Sequence, residues 1–316
     1  MSRIRDALRR AEQEKGKAPG REATAAAPVA APAAVPAPAG PQVSGSAAAI
    51  AAATAAQPVS PPPSPRPTGA VSSPGLLESC RRPLWLGDSS KLLFLGSAGH
   101  TFATEQLRNL RSRLSAVRAE RALKSVVITS AGAAEGKTYL AANLAHAFAR
   151  QHDRKILLVD ADLRRAGLHS LLGAPAEPGL SDYLCGRATE EQILQRGPQE
   201  SLFFIPGGKA AANPGELLSG GKVKILLSRL APLFDWILLD TPPVADAEGE
   251  SAALPDARMI ARHCDGVLLV IQAGATRRQQ AQRAVREFPS ERLLGVVLNR
   301  AQVPEKLASR RTAGSD

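Results

Sequence analysis

The chain has 316 residues, 44% of them hydrophobic, enough for one sizeable core. Its formal charge is +11, but aromatic residues make up only 3% and no DNA- or RNA-binding motif is legible, so nucleic acid is not an expected partner. Cys80, Cys185 and Cys264 are scattered without metal spacing, no apolar run can span a bilayer, and the start MSRIRDALRR has charges where a signal peptide needs apolar residues; a cytoplasmic protein with reduced thiols is expected.

Residues 1–17 read as a short helix. Ser2 caps it, and Ile4, Ala7, Leu8 and Ala11 form a thin apolar stripe opposite Arg3, Arg5, Arg9 and Arg10. It is either a frayed end or a docking helix. Residues 18–75 are Ala, Pro, Ser and Gly and read as a disordered linker, because so little apolar surface cannot offset the entropy of ordering. An ordered domain is expected over 76–303, with a flexible tail over 304–316.

Within the domain, ATEQLRNLRSRLSAVR (103–118) predicts an amphipathic helix. Leu107, Leu110 and Leu114 line one face, and Glu105, Arg108 and Arg111 lie on a neighbouring one. The stretch KSVVITSAGAAEGKTYLAANLA (124–145) predicts a strand at 126–129, a loop of small residues at 130–135, and a helix entered at Gly136-Lys137-Thr138. That is the geometry of a phosphate loop, with backbone N–H groups and the helix dipole aimed at the ligand. Lys137 would reach the β/γ-phosphates and the Thr138 hydroxyl would ligate Mg²⁺. The Gly usually found five residues before the Gly-Lys pair is Ala131 here, with Gly132 beside it. Tyr139, on the same helix, is expected to pack.

Strands and helices then alternate. Strands are expected at 155–162 (KILLVDAD), 202–206, 236–240 (WILLD), 266–272 and 293–299, and helices at 222–233, 252–264 and 276–288. The pattern predicts an α/β, doubly wound, mostly parallel sheet with helices on both faces, the P-loop NTPase arrangement, with ligand beyond the carboxyl ends of the strands. Asp160 and Asp162 close the strand over 155–162, where residues i and i+2 face the same way, so both carboxylates can point to one site, and Asp240 ends another strand in a matching place. Three acids near strand ends, together with GKT, point to an ATP·Mg²⁺ site. The loop ADAEGESAALP, with Asp246, Glu248 and Glu250, reads as surface.

AEGKT (134–138), LLVDADLRRAGLH (157–169), GLSDYLCG (179–186), NPGELLSG (213–220), ILLDTPPV (237–244) and VVLNR (296–300) together resemble the bacterial tyrosine kinases of capsular and exopolysaccharide synthesis. The resemblance runs from about Phe102 to Ala301. It implies nucleotide contacts from Gly132, Glu135, Gly136, Lys137, Thr138 and Asn299, the last beside adenine. Asp160 would act as base toward an attacking hydroxyl, with Lys137 and Arg164 as further catalytic groups. Thr138, Asp162 and Asp240 would hold Mg²⁺ and its waters. Glu105, Arg108 and Arg111 would mediate assembly into a ring, and a membrane-embedded polysaccharide co-polymerase or activator would recruit the protein to the inner face of the membrane. The resemblance implies ATP hydrolysis or phosphoryl transfer to protein tyrosine. One departure is that Tyr139 and Tyr183 are the two tyrosines of the sequence, so the tyrosine-rich tail of autophosphorylating members is not expected. The alternatives are a positioning or partition-type switch ATPase, which has lysine where Gly132 stands, and a nucleotide-gated scaffold. An iron–sulfur scaffold ATPase needs a C-terminal Cys pair, and a Rossmann oxidoreductase needs GxGxxG.

Overall fold

Strands that are apolar on both faces must be covered on both sides, and this chain buries them as the middle of three layers. The computed structural model describes residues 75–94, 101–245 and 255–301. The expected N-terminal helix, the linker up to residue 74, the acids at 246, 248 and 250, and the 304–316 tail lie outside the described residues.

The chain order is α1 (Leu76–Ser79), α2 (Phe102–Glu120), β1 (Ser125–Ser130), α3 (Lys137–Ala149), β2 (Ile156–Asp160), α4 (Leu168–Leu172), α5 (Leu180–Leu184), α6 (Glu190–Ile193), β3 (Gln195–Arg196), β4 (Leu202–Ile205), α7 (Pro214–Ser219), α8 (Lys222–Leu230), β5 (Trp236–Asp240), α9 (Pro255–Ala261), β6 (Gly266–Gln272), α10 (Arg278–Arg286) and β7 (Leu293–Asn299). Among the described residues the strands form one seven-stranded sheet, ordered β3-β4-β2-β5-β1-β6-β7. Only the β3–β4 pair is antiparallel. This is the doubly wound α/β fold of the P-loop NTPases.

The alternating faces of β1 divide the core. Val126 and Ile128 pack with Leu107 and Leu114 of α2 and Leu140, Leu144 and Phe148 of α3. Val127 packs on the other side with Leu226 and Leu230 of α8, Ile260 of α9 and Ala281 of α10. Burying each large side chain is worth about 1.5–3 kcal/mol relative to exposure. The register then places the chemistry. Ile128 pairs with Asp240, and Asp240 pairs with Asp160. The carboxyl ends of β1, β5 and β2 therefore finish side by side at one edge.

Some boundaries differ from expectation. The strand predicted over 155–162 stops at Asp160, so Asp162 lies beyond it and strand alternation does not bring the two acids together. The cause is local: Asp160 Oδ2 accepts from the backbone N–H groups of Gly167 and Leu168, each at 3.0 Å, which ties the strand end to the following turn. The helix predicted over 222–233 ends at Leu230 and tightens to a 3₁₀ turn over Ala231–Leu233, where Pro232 removes a backbone donor. Tyr139 is 37% exposed rather than packed, although its helix is otherwise mostly buried.

Candidate nucleotide site

The loop after β1 is held open by its own side chains. Ser130 Oγ donates to the Gly132 carbonyl at 2.6 Å. Ala134 (φ 60°) and Gly136 (φ 93°) take left-handed conformations, the kind of turn that makes successive N–H groups converge on an anion. Gly136 has a second reason to be glycine: a Cβ there would lie 2.1 Å from Asn299 Nδ2. That amide donates to the Glu135 carbonyl at 2.8 Å, so the end of β7 braces the loop. Asn299 Oδ1 accepts from Arg300 N at 2.9 Å. The Glu135 carboxylate is buried and turned inward, accepting from Gly132 N at 3.0 Å and from the Thr276 hydroxyl. Burial pushes its pKa up despite these bonds. Its side chain therefore shapes the loop, whereas the family resemblance places Glu135 among the ligand contacts. The first turn of α3, beginning at Lys137, leaves N–H groups without helical partners facing this loop.

Lys137 and the acids form one buried cluster. Lys137 Nζ lies 2.8 Å from Asp162 Oδ2 and 3.6 Å from Asp240 Oδ1. Burial works against its ammonium, but Asp240 and Asp162 outweigh burial and hold its pKa above the ordinary lysine value. Asp240 is 1% exposed, and neither carboxylate oxygen has a hydrogen bond of normal geometry. Burial drives its pKa from 3.8 to about 6, even though Lys137 and the Thr138 hydroxyl favour its charged form. Asp160 is fully buried and is raised to about 7, by burial first and by the neighbouring Asp240 second. A buried carboxylate with both oxygens orphaned, beside a threonine hydroxyl, has acceptor capacity left for a divalent cation once Lys137 turns to a phosphate. Among the described residues no group of three His, Cys, Asp or Glu is arranged to hold a metal ion by itself. Mg²⁺ fits such a place, because it keeps several waters and takes one or two protein ligands plus phosphate oxygens.

Arg164 and Arg111 have intramolecular partners. The resemblance places Arg164 among the catalytic groups. Its guanidinium is instead taken by Asp256 of α9, Nε to Oδ2 at 2.6 Å and Nη2 to Oδ1 at 3.3 Å. Asp256 is fully buried, and a carboxylate there captures the nearest cation. The resemblance also places Arg111 at an oligomer contact. It turns inward, and its Nη1 donates at 2.8 Å to the Ala147 carbonyl in the last turn of α3, which has no helical partner. Glu105 and Arg108 form an i,i+3 ion pair on α2. Sequence reasoning missed Asp256, Thr276 and Asn143. Asn143 is fully buried and pins the 91–93 segment to α3 through Leu93 N and the Lys91 carbonyl. None of the three stands in a motif, so no local signal marks them.

The nucleotide-binding domain model of the CobQ/CobB/MinD/ParA proteins (CbiA) matches residues 126–312. The tyrosine-protein kinase YwqD of Bacillus subtilis is 35% identical over 198 residues, which cover 62% of this chain and 80% of YwqD. The chain belongs to the bacterial tyrosine-kinase family. The residues matched by the domain model include the loop, the three acids and β7. The tyrosine-protein kinase Wzc of Salmonella typhi is 29% identical over 212 residues, and there the match spans 66% of this chain but 28% of Wzc. Among solved structures, the kinase domain of the Escherichia coli tyrosine kinase ETK superposes with a TM-score of 0.59 at 29% identity, covering 67% of this chain and 82% of that one. As a family member, the chain is a P-loop nucleotide-binding protein of the kinase-like ATPase type. No described helix is long and apolar enough to cross a membrane.

Proposed function

We propose that this protein binds ATP with Mg²⁺ at the loop over 130–138 and passes the γ-phosphate to water or to a tyrosine of another protein, and that it thereby regulates exopolysaccharide or capsule polymerisation or export. The observation that carries the reading is the orphaned Asp240 carboxylate beside Lys137, in register with Asp160. When bound, Mg²⁺ would supply charge neutralisation at the phosphates, and Thr138, Asp162 and Asp240 would hold it and its waters. Loop N–H groups and the start of α3 bind phosphate oxygens, and Lys137 leaves its carboxylates for the β/γ-phosphates. Asp160, with its pKa near 7, accepts the proton of the attacking hydroxyl. Positioning and charge stabilisation carry most of such a reaction. Arg164 holds the turn after β2 against α9 through Asp256. Asn299 braces the loop and would contact adenine.

The same reading gives the partners. A membrane-embedded co-polymerase or activator would hold the protein at the inner face of the membrane, and Glu105 and Arg108 would contact a second copy in a ring. The test is the fate of label from γ-labelled ATP with Mg²⁺ and a tyrosine-bearing partner. Label on tyrosine supports kinase action, and free phosphate alone supports an ATPase. Neither product would overturn the catalytic reading and leave a nucleotide-gated scaffold.

A further inference from the structure

The opposite end of the sheet, where β1, β5 and β6 begin, carries a cavity of about 660 Å³. It is separated from the phosphate loop by the length of β1, about 20 Å at about 3.3 Å per residue. Its size lies within the about 300–1,000 Å³ typical of small-molecule sites. Leu123, Leu227 and Ile237 give it an apolar floor, and its rim holds five cationic side chains: Arg118, Lys124, Lys224, Arg262 and Arg292.

Most of the charge of these five is not cancelled locally. Lys124 Nζ donates to the Ala231 carbonyl at 2.7 Å and Arg292 Nη1 to the Ala261 carbonyl at 2.6 Å, and such bonds orient a cation without neutralising it. Arg118 bonds the Asp235 carbonyl, stacks on Trp236, and lies 3.9 Å from the Asp235 carboxylate, which Arg154 already pairs at 2.8 Å. Lys224 and Arg262 are exposed and have no ion-pair partner among the described residues. The one acid lining the cavity is Asp265, whose Oδ2 accepts from Lys124 N, Ser125 N and Ser125 Oγ at 2.8–2.9 Å. His263, also in the lining, has its pKa lowered, first by burial and then by Lys224, Arg292 and Arg262.

Cations of one sign gathered around an apolar floor repel one another unless an anion joins them, and guanidinium groups favour phosphate oxygens. We infer that this cavity is a second anion site, separate from the phosphate loop, which binds a small phosphorylated molecule bearing at least two negative charges. The apolar floor takes the uncharged part of that molecule, and Lys224 and Arg262 contact its anionic groups. The inference does not rest on the reading of the phosphate loop.

The test uses the full chain with labelled histidines, with the His263 signal assigned through His263→Gln. Inorganic pyrophosphate is titrated without nucleotide or divalent cation, with inorganic phosphate and sulfate compared at matched ionic strength. The expected result is a saturable shift of His263 that is strongest for pyrophosphate. Replacing Lys224 and Arg262 by Glu should weaken the apparent affinity about tenfold or more while leaving ATP turnover unchanged. Lys137→Met should leave the His263 shift as it is, which separates the two sites whatever the loop binds. Equal shifts from all three anions would mean screening alone and overturn the proposal, as would no saturable shift or a shift that survives both charge reversals.

Discussion

Replacing Asp240 by Asn removes a charge that the fold buries and leaves without a hydrogen bond. The folded carboxyl has a pKa of about 6 against an ordinary 3.8. Between those values the folded protein holds a proton that the unfolded chain has released. Stability from this group is therefore fully present below about pH 3.8 and is lost as pH rises through about 6. At about 1.4 kcal/mol per pKa unit, the whole loss is about 3 kcal/mol near pH 8 and only a small fraction of that near pH 4. That figure already includes the attraction to Lys137, which acts in the opposite direction. An amide at this position mimics the protonated carboxyl, so D240N should be more stable than the parent by about 3 kcal/mol near pH 8. For a domain of this size that is about 6–12 °C in Tm. The assay is thermal unfolding of both proteins without nucleotide or divalent cation, across that pH range. An advantage of D240N that shrinks toward acid pH supports the account. A variant that is less stable at alkaline pH, or a difference independent of pH, would refute the reasoning.

Gly136→Ala should destabilise the loop by about 1–2 kcal/mol or more, because the new Cβ meets Asn299 Nδ2 and φ is left-handed; chemical denaturation reads it, and MgATP affinity should fall with it. Asp256→Ala frees Arg164, whose side chain is 39% exposed and can turn to water, so stability should fall by only about 1 kcal/mol, whereas a catalytic Arg164 would show its main effect in turnover rather than in Tm. Glu105→Ala with Arg108→Ala should reduce the assembly state in sedimentation velocity. Arg111→Ala should instead loosen α2 from α3 and lower Tm, since its guanidinium is bonded to Ala147.

The sheet was legible because its strands are long apolar runs bounded by turns. WILLD, GVLLVIQ and LLGVVLN match the observed β5, β6 and β7 residue for residue. The acids at β2 and β5 could be placed because a parallel sheet delivers strand ends to one edge. What they do there could not be read, since it depends on tertiary partners. Asp160 is claimed by two backbone N–H groups seven and eight residues on, while Asp240 is left bare. Arg164 pairs with Asp256, 92 residues away and beyond any local pattern. β3 is two residues long and is held by its pairing with β4 and a bridge to Arg81, so no periodicity could reveal it. The cavity at the far pole draws its cations from five separate places in the sequence, which composition recorded only as excess charge.

The central claim is that the loop between β1 and α3 binds ATP with Mg²⁺ through Lys137 and the acids around it. Calorimetric titration of MgATP into the parent protein and into Lys137→Met, with unfolding curves showing both folded, tests it directly. The account predicts one saturable site in the parent, dependent on Mg²⁺ and lost or weakened at least about tenfold in the variant. Equal binding by the two proteins, or none by the parent, would contradict it.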